Sequence, residues 1–321
     1  MENMAGLKGK TVLVTGGTGF IGGHLVEKLH TLEANVIVSD ICLNPHSYFI
    51  INGLHRKTSF EVSDIRGQED VYNLYSKHKP DFVVHLAAQT IVTDAYLNPV
   101  ETLETNINGT INILEVSKKF PSINTIIVAS SDKAYGKTEK PYNESFPLKG
   151  DHPYDVSKSA ADLICSAYYK TYETPVVITR FGNVYGEGDL HYDRIVPGIC
   201  KAIIKNKPFQ IRSNGKYIRD YLYIDDVVNG YIILLQQGSK VHGEAYNLSS
   251  NDNLSVLDMI KMVRGTLGVP LDYSILNTAK NEIPYQHLND AKIRKLGFKN
   301  KYTFKNSIKG IFDWYSEYMS E

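Results

Sequence analysis

The sequence predicts an α/β protein built on a doubly wound parallel sheet, with a smaller C-terminal substrate-binding lobe. Two observations favour this architecture. Short apolar runs rich in β-branched residues alternate with amphipathic segments of helix length, and the runs are apolar throughout, as in strands that are buried on both faces. A glycine-rich turn also joins the first of these runs to the first helical segment.

The predicted elements occupy the first half of the chain in a regular order. The strand-like runs cover residues 11–15, 36–40, 82–86, 125–130 and 176–180. The clearest helical patterns cover residues 21–32, 100–119 and 154–172. The alternation becomes less regular after about residue 186, so we expect a dinucleotide-binding domain over residues 1–185 and a substrate-binding lobe over 186–321. Two later runs, at 221–224 and 245–248, resemble buried strands, and one or both are expected to return to the first domain.

Composition excludes several classes of protein. The 321 residues are 42% hydrophobic and 22% charged, which is ordinary for a folded globular chain, and Lys plus Arg equals Asp plus Glu at 35 each, so no net charge favours nucleic acid. No apolar run reaches the ~20 residues of a membrane span, and residues 1–10 lack the apolar core of a signal peptide. Cysteines and histidines show no metal-ligand spacing, and we expect Cys42, Cys165 and Cys200 to be buried thiols of a cytoplasmic protein.

The first strand-like run leads into the turn Thr-Gly-Gly-Thr-Gly-Phe-Ile-Gly at residues 15–22. Gly16 permits a tight turn, Gly19 lets the backbone approach a pyrophosphate, and Gly22 lets the helix pack closely on the strand. The helix beginning near Phe20 and Ile21 presents free N–H groups and a partial positive charge to the phosphates.

An acidic residue, Asp40, ends the second strand-like run. Its carboxylate can accept hydrogen bonds from a ribose 2′-hydroxyl and would repel a 2′-phosphate. The glycine turn and Asp40 together therefore predict NAD as the cofactor in preference to NADP.

A second pattern concerns catalysis. Tyr154 and Lys158 are four residues apart in a helical segment, so they share one face. A free tyrosine titrates near 10, and we expect a neighbouring ammonium and a positively charged nicotinamide to lower that pKa. Ser131 follows the run at 125–130, at the sheet edge where ligands bind in this architecture, although the residue type also suits a strand terminus or a helix cap.

These motifs, together with Arg-Asp-Tyr-Leu-Tyr-Ile-Asp-Asp at residues 219–226, resemble the extended short-chain dehydrogenase/reductase family along nearly the whole chain. Members of that family include the NAD-dependent nucleotide-sugar epimerases and dehydratases. The resemblance implies a Rossmann fold and a homodimer with a four-helix interface supplied by the helices at 100–119 and 154–172. It also implies that Ser131 hydrogen-bonds the sugar hydroxyl that is oxidised and that Asn106 braces the central site. For the cofactor it implies contacts from Asp64, Ile65, Leu86, Ala87 and Ala88, the first two against the adenine.

Asp132 and Lys133 indicate the subclass. Dehydratases of this family carry an acid followed by a base at these positions, whereas similar epimerases carry small or uncharged residues, and the Asp-Lys pair is most similar to the 4,6-dehydratases of cytidine diphosphate glucose. Asp132 would then be the general acid that protonates the departing 6-hydroxyl, and Lys133 the base that removes the C5 hydrogen. The alternatives are a 4-epimerase, a non-catalytic NAD-sensing protein and, for the two residues themselves, a solvated surface ion pair.

The sequence specifies the residues that bind the nucleotide sugar less closely. The resemblance implies that Asn183 contacts the substrate diphosphate. Arg194 and Arg219 are candidates to hold the phosphates because a guanidinium binds phosphate oxygens in a fork, and Arg212 is a further candidate. The run at 188–197 is similar to the cytidine diphosphate glucose dehydratases, whereas residues 218–226 have the generic family form. The nucleobase and the hexose therefore stay open.

Overall fold

The computed structural model describes residues 6–138, 140–278 and 283–320. The described strands are β1 (Thr11–Thr15), β2 (Asn35–Asp40), β3 (Ser59–Val62), β4 (Phe82–His85), β5 (Thr125–Ala129), β6 (Val176–Phe181), β7 (Asn183–Tyr185), β8 (Phe209–Ile211), β9 (Arg219–Tyr223), β10 (Ala245–Leu248), β11 (Asn253–Leu254) and β12 (Tyr273–Ile275). The described α-helices are α1 (Phe20–Thr31), α2 (Tyr48–Ile51), α3 (Gln68–His78), α4 (Val92–Leu97), α5 (Pro99–Leu103), α6 (Gly109–Ser117), α7 (Pro153–Tyr172), α8 (Ile195–Ile204), α9 (Ile224–Gln237), α10 (Val256–Leu267), α11 (Ala291–Arg294) and α12 (Phe304–Tyr318).

Among the described residues, seven strands form one sheet in the order β10-β6-β5-β4-β1-β2-β3. Every neighbouring pair in this sheet is parallel. The strand order reverses between β1 and β4, which creates the crevice at the carboxyl ends where ligands bind in doubly wound sheets. The predicted fold class is confirmed.

The sheet is buried on both faces, as the uniformly apolar strands predict. In β1, Val12 and Val14 belong to one hydrophobic core, and Leu13 between them belongs to the other. This division follows from the alternation of side chains along a strand. Apolar residues at consecutive positions therefore supply both cores.

The two strands expected to return to the sheet have different locations. β10 pairs with β6 and extends the large sheet, whereas the run at 221–224 is part of β9, which lies between β7 and β11 in a small three-stranded sheet. Both edges of β6 are already occupied, by β5 and β10, so β9 cannot pair there. The division of the chain near residue 185 stays a prediction.

The helix predicted over residues 100–119 is not a uniform α-helix. A π-helical turn, Glu104–Asn108, separates α5 from α6 and carries the buried Asn106. Such turns widen a helix locally and often occur at functional sites.

The thiols are only partly as expected. Cys165 and Cys200 are buried, but Cys42 is exposed, because it lies in the loop after β2 and not on a buried helix face. Among the described residues, no helix combines the length and apolar character needed to cross a bilayer.

A buried ion pair joins α7 to β6. Arg180 donates from Nε and Nη2 to the two carboxylate oxygens of Asp162, both at 2.7 Å, and its Nη1 donates to the Tyr135 hydroxyl at 2.8 Å. Both charged side chains are almost fully buried. Removal of one partner would leave an uncompensated charge inside the protein.

We predict that Asp162→Ala lowers the free energy of unfolding by about 3–5 kcal/mol, since Arg180 would remain buried without its partner. The measurement is denaturant unfolding followed by circular dichroism. The control is Lys8→Ala, which breaks the exposed pair between Lys8 and Glu33 and should cost less than about 1 kcal/mol. Equal losses in the two variants would contradict the prediction.

Candidate active site

The glycine-rich turn lies between β1 and α1 at the carboxyl edge of the sheet. Gly16 has a φ of +68°, and a Cβ on it would lie 2.6 Å from the backbone nitrogen of Ala87. A Cβ on Gly22 would lie 2.3 Å from the carbonyl oxygen of Gly16. The turn, the end of β4 and the first turn of α1 approach one another so closely that a side chain would not fit at either position.

Gly19 has a different environment. It is the N-cap of α1 in extended backbone, and a Cβ on it would contact only the Gly16 carbonyl oxygen, at 3.2 Å. Within the described part of the chain, no side chain caps this helix, and its first turn has no acidic residue. The N–H groups of Phe20 and Ile21 and the positive end of the helix dipole therefore fit a pyrophosphate.

Asp40 is fixed beside this turn. One carboxylate oxygen accepts hydrogen bonds from the Thr18 backbone nitrogen at 3.2 Å and from the Thr18 hydroxyl at 2.5 Å, and the other accepts from the Ile41 nitrogen at 2.9 Å. The carboxylate is thus held at the end of β2 with its charge facing the turn. This position suits a ribose hydroxyl and disfavours an additional phosphate, so the turn and Asp40 together fit NAD.

The other residues implied to contact the cofactor surround the same crevice. Ile65 is buried against Gly109, where a Cβ would lie 2.5 Å from the Ile65 Cδ1. The Asp64 carboxylate pairs with the Arg66 guanidinium, which holds the pKa of that carboxyl below its usual range. Residues 86–88 continue from β4 past Gly16. Their contacts with the cofactor stay predictions.

Asn106 braces the centre of the crevice. Its Oδ1 accepts from the Gln89 backbone nitrogen at 2.8 Å, and its Nδ2 donates to the Gln89 carbonyl at 3.0 Å and to the Ser157 hydroxyl at 2.9 Å. Asn106 therefore links the segment after β4 to helix α7. Its place in the π-helical turn directs the amide inward, which the sequence pattern of a plain helix does not anticipate.

The catalytic candidates are close together and buried at the ends of β5 and α7. The Ser131 hydroxyl donates to the Asp132 Oδ1 at 3.1 Å and accepts from the Lys133 backbone nitrogen at 3.2 Å, so it also caps the short 3-10 helix Asp132–Tyr135. The same hydroxyl interacts with the Tyr154 phenol. Lys158 donates from Nζ to the Ala129 carbonyl at the end of β5, at 3.0 Å.

Asp132 is not part of a surface ion pair. Only 5% of the residue is exposed, and burial raises the pKa of its carboxyl, with the nearby Asp220 adding to the effect and Lys133 opposing it. The Lys133 Nζ is directed elsewhere, to the Gln286 Oε1 at 2.6 Å. The solvated ion-pair alternative is therefore wrong, and the site contains a buried carboxyl group with a raised pKa.

Burial also shifts the pKa values of Tyr154 and Lys158. In the protein alone, burial raises the pKa of Tyr154 to about 12, helped by the charges of Asp132 and Asp155, while the Ser131 hydroxyl and Arg194 oppose it. This direction is opposite to the sequence-based expectation, which considered neighbouring cations but not burial. Burial lowers the pKa of Lys158 to about 8, so its ammonium is still the main form at neutral pH.

The diphosphate candidates lie around the opening of the crevice. Asn183, at the start of β7, donates to the Asp220 carbonyl at 3.4 Å. Arg194 pairs with Asp189, yet its charge still lowers the pKa of Tyr154, and Arg219 lowers that of Asp132. Both guanidinium groups therefore influence the pKa of a catalytic candidate. The exposed Arg212 instead donates to the Asp193 carbonyl. Their contacts with substrate stay predictions.

Sequence reasoning missed two polar groups of the site. Burial raises the pKa of Asp155 to about 7, with Asp132 adding to the shift and Lys133 opposing it. Its position between Tyr154 and Lys158 in the sequence could have drawn attention to it. Gln286 is 153 positions from Lys133 and has no motif around it, so no sequence pattern connects the two.

We predict that Gly19→Ala weakens NAD binding at least about tenfold, equivalent to about 1.4 kcal/mol, because the methyl group would occupy the surface that approaches the pyrophosphate. The fold should tolerate this change, since Gly19 already has an extended backbone conformation that alanine adopts. Calorimetric titration with NAD measures the affinity, and thermal unfolding checks the fold.

Two further glycines serve as controls. Gly265→Ala lies where a Cβ meets no atom within 4 Å and should leave NAD affinity unchanged. Gly22→Ala should instead lower the free energy of unfolding by about 1–3 kcal/mol through overlap with the Gly16 carbonyl. Unchanged NAD affinity in Gly19→Ala would refute the assignment of this turn.

Comparisons with known proteins agree with this geometry. A bovine dTDP-D-glucose 4,6-dehydratase is 31% identical over 96% of this chain and 89% of its own length, and a Salmonella typhi CDP-paratose 2-epimerase is 30% identical over 95% and 99%. The crystal structure of a dTDP-glucose 4,6-dehydratase from Bacillus anthracis in complex with NAD superposes with a TM-score of 0.86 at 26% identity, covering 97% of this chain and 98% of that one.

The family model that matches the chain covers residues 12–249, from β1 past β10, and describes the NAD dependent epimerase/dehydratase family. This span includes the glycine turn, the Tyr154 and Lys158 pair and the Asp132 and Lys133 pair. The predicted family and the predicted cofactor, NAD, are confirmed. The chain belongs to the NAD dependent epimerase/dehydratase family.

Proposed function

We propose that this protein is an NAD-dependent nucleotide-sugar 4,6-dehydratase, which converts a nucleoside diphosphate hexose into its 4-keto-6-deoxy form with loss of one water. The observation that carries the proposal is the buried acid Asp132, with its raised pKa, which accepts from the Ser131 hydroxyl and lies near enough to Lys133 for the lysine charge to oppose the shift. An elimination across C5 and C6 needs one acid and one base at the same place. The relatives named as 4,6-dehydratases support the same reaction.

Each residue then has a defined task. NAD, when bound, supplies the hydride acceptor for C4 and the hydride donor for C6. The positive nicotinamide of bound NAD would oppose the burial that raises the pKa of Tyr154, and as the phenolate Tyr154 takes the proton of the 4-hydroxyl, which Ser131 holds. The 4-ketone makes the C5 hydrogen acidic. Lys133 removes that hydrogen while Asp132 protonates the 6-hydroxyl, so water leaves.

The protons balance within the site. In each cycle Tyr154 gains one proton and Asp132 loses one, whereas Lys133 returns its proton to C5. The Ser131 hydroxyl interacts with the Tyr154 phenol and donates to Asp132 at 3.1 Å. It is therefore suitably placed to pass the proton from Tyr154 back to Asp132 between turnovers.

Binding of the nucleotide sugar is assigned to the polar groups at the opening of the crevice. Asn183, Arg194 and Arg219 supply an amide and two guanidinium groups on elements that follow β6. Guanidinium groups suit the two phosphates of a nucleoside diphosphate. The similar proteins are named for dTDP, UDP and CDP sugars, so the proposal stops at the diphosphate hexose class.

A 4-epimerase is the second candidate, since solved epimerases share the fold; one from Bacillus cereus acts, by its name, on UDP-glucuronic acid. An epimerase needs Ser131, Tyr154 and Lys158 but gives Asp132 and Lys133 no proton to transfer. A non-catalytic NAD-sensing protein would need none of these residues, and here all five are present, with Ser131, Asp132, Tyr154 and Lys158 buried.

We predict that the purified protein with NAD removes one water from at least one of the CDP-, UDP-, dTDP- and GDP-hexoses. Mass spectrometry of the nucleotide sugar measures the loss and identifies the nucleotide. An unchanged mass with a new isomer resolved by chromatography would establish the epimerase instead and leave Asp132 and Lys133 without a catalytic task.

Variants of the acid and the base refine this prediction. In Lys133→Met and Asp132→Asn, turnover should fall at least about 10²-fold, because each removes one proton transfer of the elimination. Oxidation at C4 should remain, so the absorbance of reduced nicotinamide should accumulate on the enzyme. Lys137→Met, on the exposed lysine that pairs with Asp151, is the matched control and should behave as the native protein.

We further infer a homodimer that uses the outer faces of α5 and α7. Val156 and Leu163 are seven residues apart on one face of α7 and are 41% and 57% exposed, and Leu97 and Val100 near α5 are 78% and 65% exposed. Exposed apolar residues grouped on adjacent helices are typical of a protein interface. We also propose a cytoplasmic location, which the three free cysteines support.

We predict that Leu163→Glu dissociates this dimer, since a buried carboxylate at the centre of an interface costs about 2 kcal/mol or more. Light scattering coupled to size-exclusion chromatography measures the mass. Val62→Glu, at a 71% exposed position on β3, is the control and should leave the mass unchanged. A native protein that is monomeric, or a Leu163→Glu variant that stays dimeric, would contradict the assignment.

A further inference from the structure

A segment of the C-terminal lobe, residues 283–289, crosses the crevice next to Asp132 and Lys133; we refer to it as the crossing segment. On one side, the Ile218 nitrogen donates to the Pro284 carbonyl at 3.0 Å, and the Gln286 nitrogen donates to the Ile218 carbonyl at 3.1 Å. On the other side, the Tyr142 nitrogen donates to the His287 carbonyl at 2.9 Å. The crossing segment is therefore held along both edges by backbone hydrogen bonds.

Two consecutive side chains of this segment have partners next to Asp132. The His287 Nδ1 hydrogen-bonds the Asp220 Oδ1 at 2.7 Å, and Asp220 is the carboxylate that adds to the raised pKa of Asp132. The Gln286 Oε1 accepts from the Lys133 Nζ at 2.6 Å. Gln286 is 1% exposed, so this contact is removed from solvent.

The orientation of the Gln286 amide is fixed by its surroundings. Its Nε2 is buried without a hydrogen-bond partner among the described residues, and its side chain lies near Tyr142, whose hydroxyl donates to the Gly136 carbonyl. The Tyr142 ring is fully buried and stacks on Tyr135 with ring centroids 4.8 Å apart. The contact that orients the amide is thus the hydrogen bond from the Lys133 Nζ, which places the Gln286 oxygen toward the lysine.

We propose that Gln286 is the positioning residue that holds the Nζ of Lys133 where it removes the C5 hydrogen; this inference rests on the proposed function. A lysine amine sits on a flexible four-carbon stem with no preferred direction. The neutral amide oxygen supplies that direction without adding a negative charge that would hold the amine in its protonated form. A glutamate at the same position would orient the amine equally well but would favour the ammonium, which cannot act as a base.

The charges around Lys133 make this neutrality significant. Asp132, Asp155 and His152 face Lys133, on the same loop or from helix α7 and its cap. Burial already raises the pKa of both aspartates, which reduces their negative charge near the amine. The neutral acceptor from the crossing segment adds no further negative charge beside the amine.

We predict that Gln286→Met lowers kcat about 10²-fold with little change in KM, because a misplaced catalytic group costs about that much. Reduced nicotinamide should accumulate, as in Lys133→Met, because C4 oxidation does not need Lys133. The double variant Gln286→Met with Lys133→Met should be no slower than Lys133→Met alone. Stopped-flow absorbance and product mass measure these rates, and Pro284→Ala, an exposed position of the crossing segment, is the control.

Gln286→Glu separates positioning from a merely structural role. Its activity should recover as the pH rises, with the ascending, acid-side limb of the pH profile of kcat displaced by about one unit or more to higher pH relative to the native enzyme. Activity losses in Gln286→Met without accumulated reduced nicotinamide, or an unchanged pH profile in Gln286→Glu, would overturn the proposal.

A readout without substrate keeps this inference distinct from the proposed function. Acylation of the Lys133 amine, followed by peptide mass spectrometry and referred to the exposed Lys8, should be several-fold faster in Gln286→Met than in the native protein. An equal acylation rate would show that Gln286 does not hold the amine. Absence of water loss from every nucleotide hexose in the native protein would instead refute the dehydratase while leaving the acylation result valid.

Discussion

The parallel direction of all seven strands is the constraint on which the rest of the structure depends. Parallel strands need crossover helices, which cover both faces of the sheet, and they bring every carboxyl end to one edge. The glycine turn follows β1, Asp40 ends β2, residues 86–88 follow β4, and Ser131 to Lys133 follow β5. Residues that are far apart in the sequence thus meet at the point where the strand order reverses.

The covering of both faces has an electrostatic consequence. A site enclosed by a buried sheet and its helices is poorly solvated, and burial shifts the pKa of an ionisable group toward its neutral form. The pKa values of Asp132 and Tyr154 are raised and that of Lys158 is lowered, with burial the first cause in each case. The same physical effect thus raises the pKa of the proposed general acid Asp132 and lowers that of Lys158.

Local patterns in the sequence were sufficient for the fold and for the motifs that lie within one turn or one helix. The glycine turn, Asp40 and the Tyr154 and Lys158 pair could be predicted because their chemistry depends on neighbours a few positions away. The location of β9 and the π-helical turn at Asn106 could not, since they depend on which strand edges are free and on contacts with Gln89 and Ser157. The raised pKa of Tyr154 was missed for a related reason, because burial is a property of the assembled fold.

The Asp132 and Lys133 pair shows the limit of a motif most clearly. In the sequence the pair is two adjacent residues, but its properties also depend on residues of the C-terminal lobe. Asp220 and Arg219 on β9 act on Asp132 in opposite directions, and Gln286 holds Lys133 from a segment more than 150 residues away. A relative with the same Asp-Lys pair but a different crossing segment would present the same motif with a differently placed base. The chemistry of the pair is therefore set by the lobe that packs against it as much as by the two residues themselves.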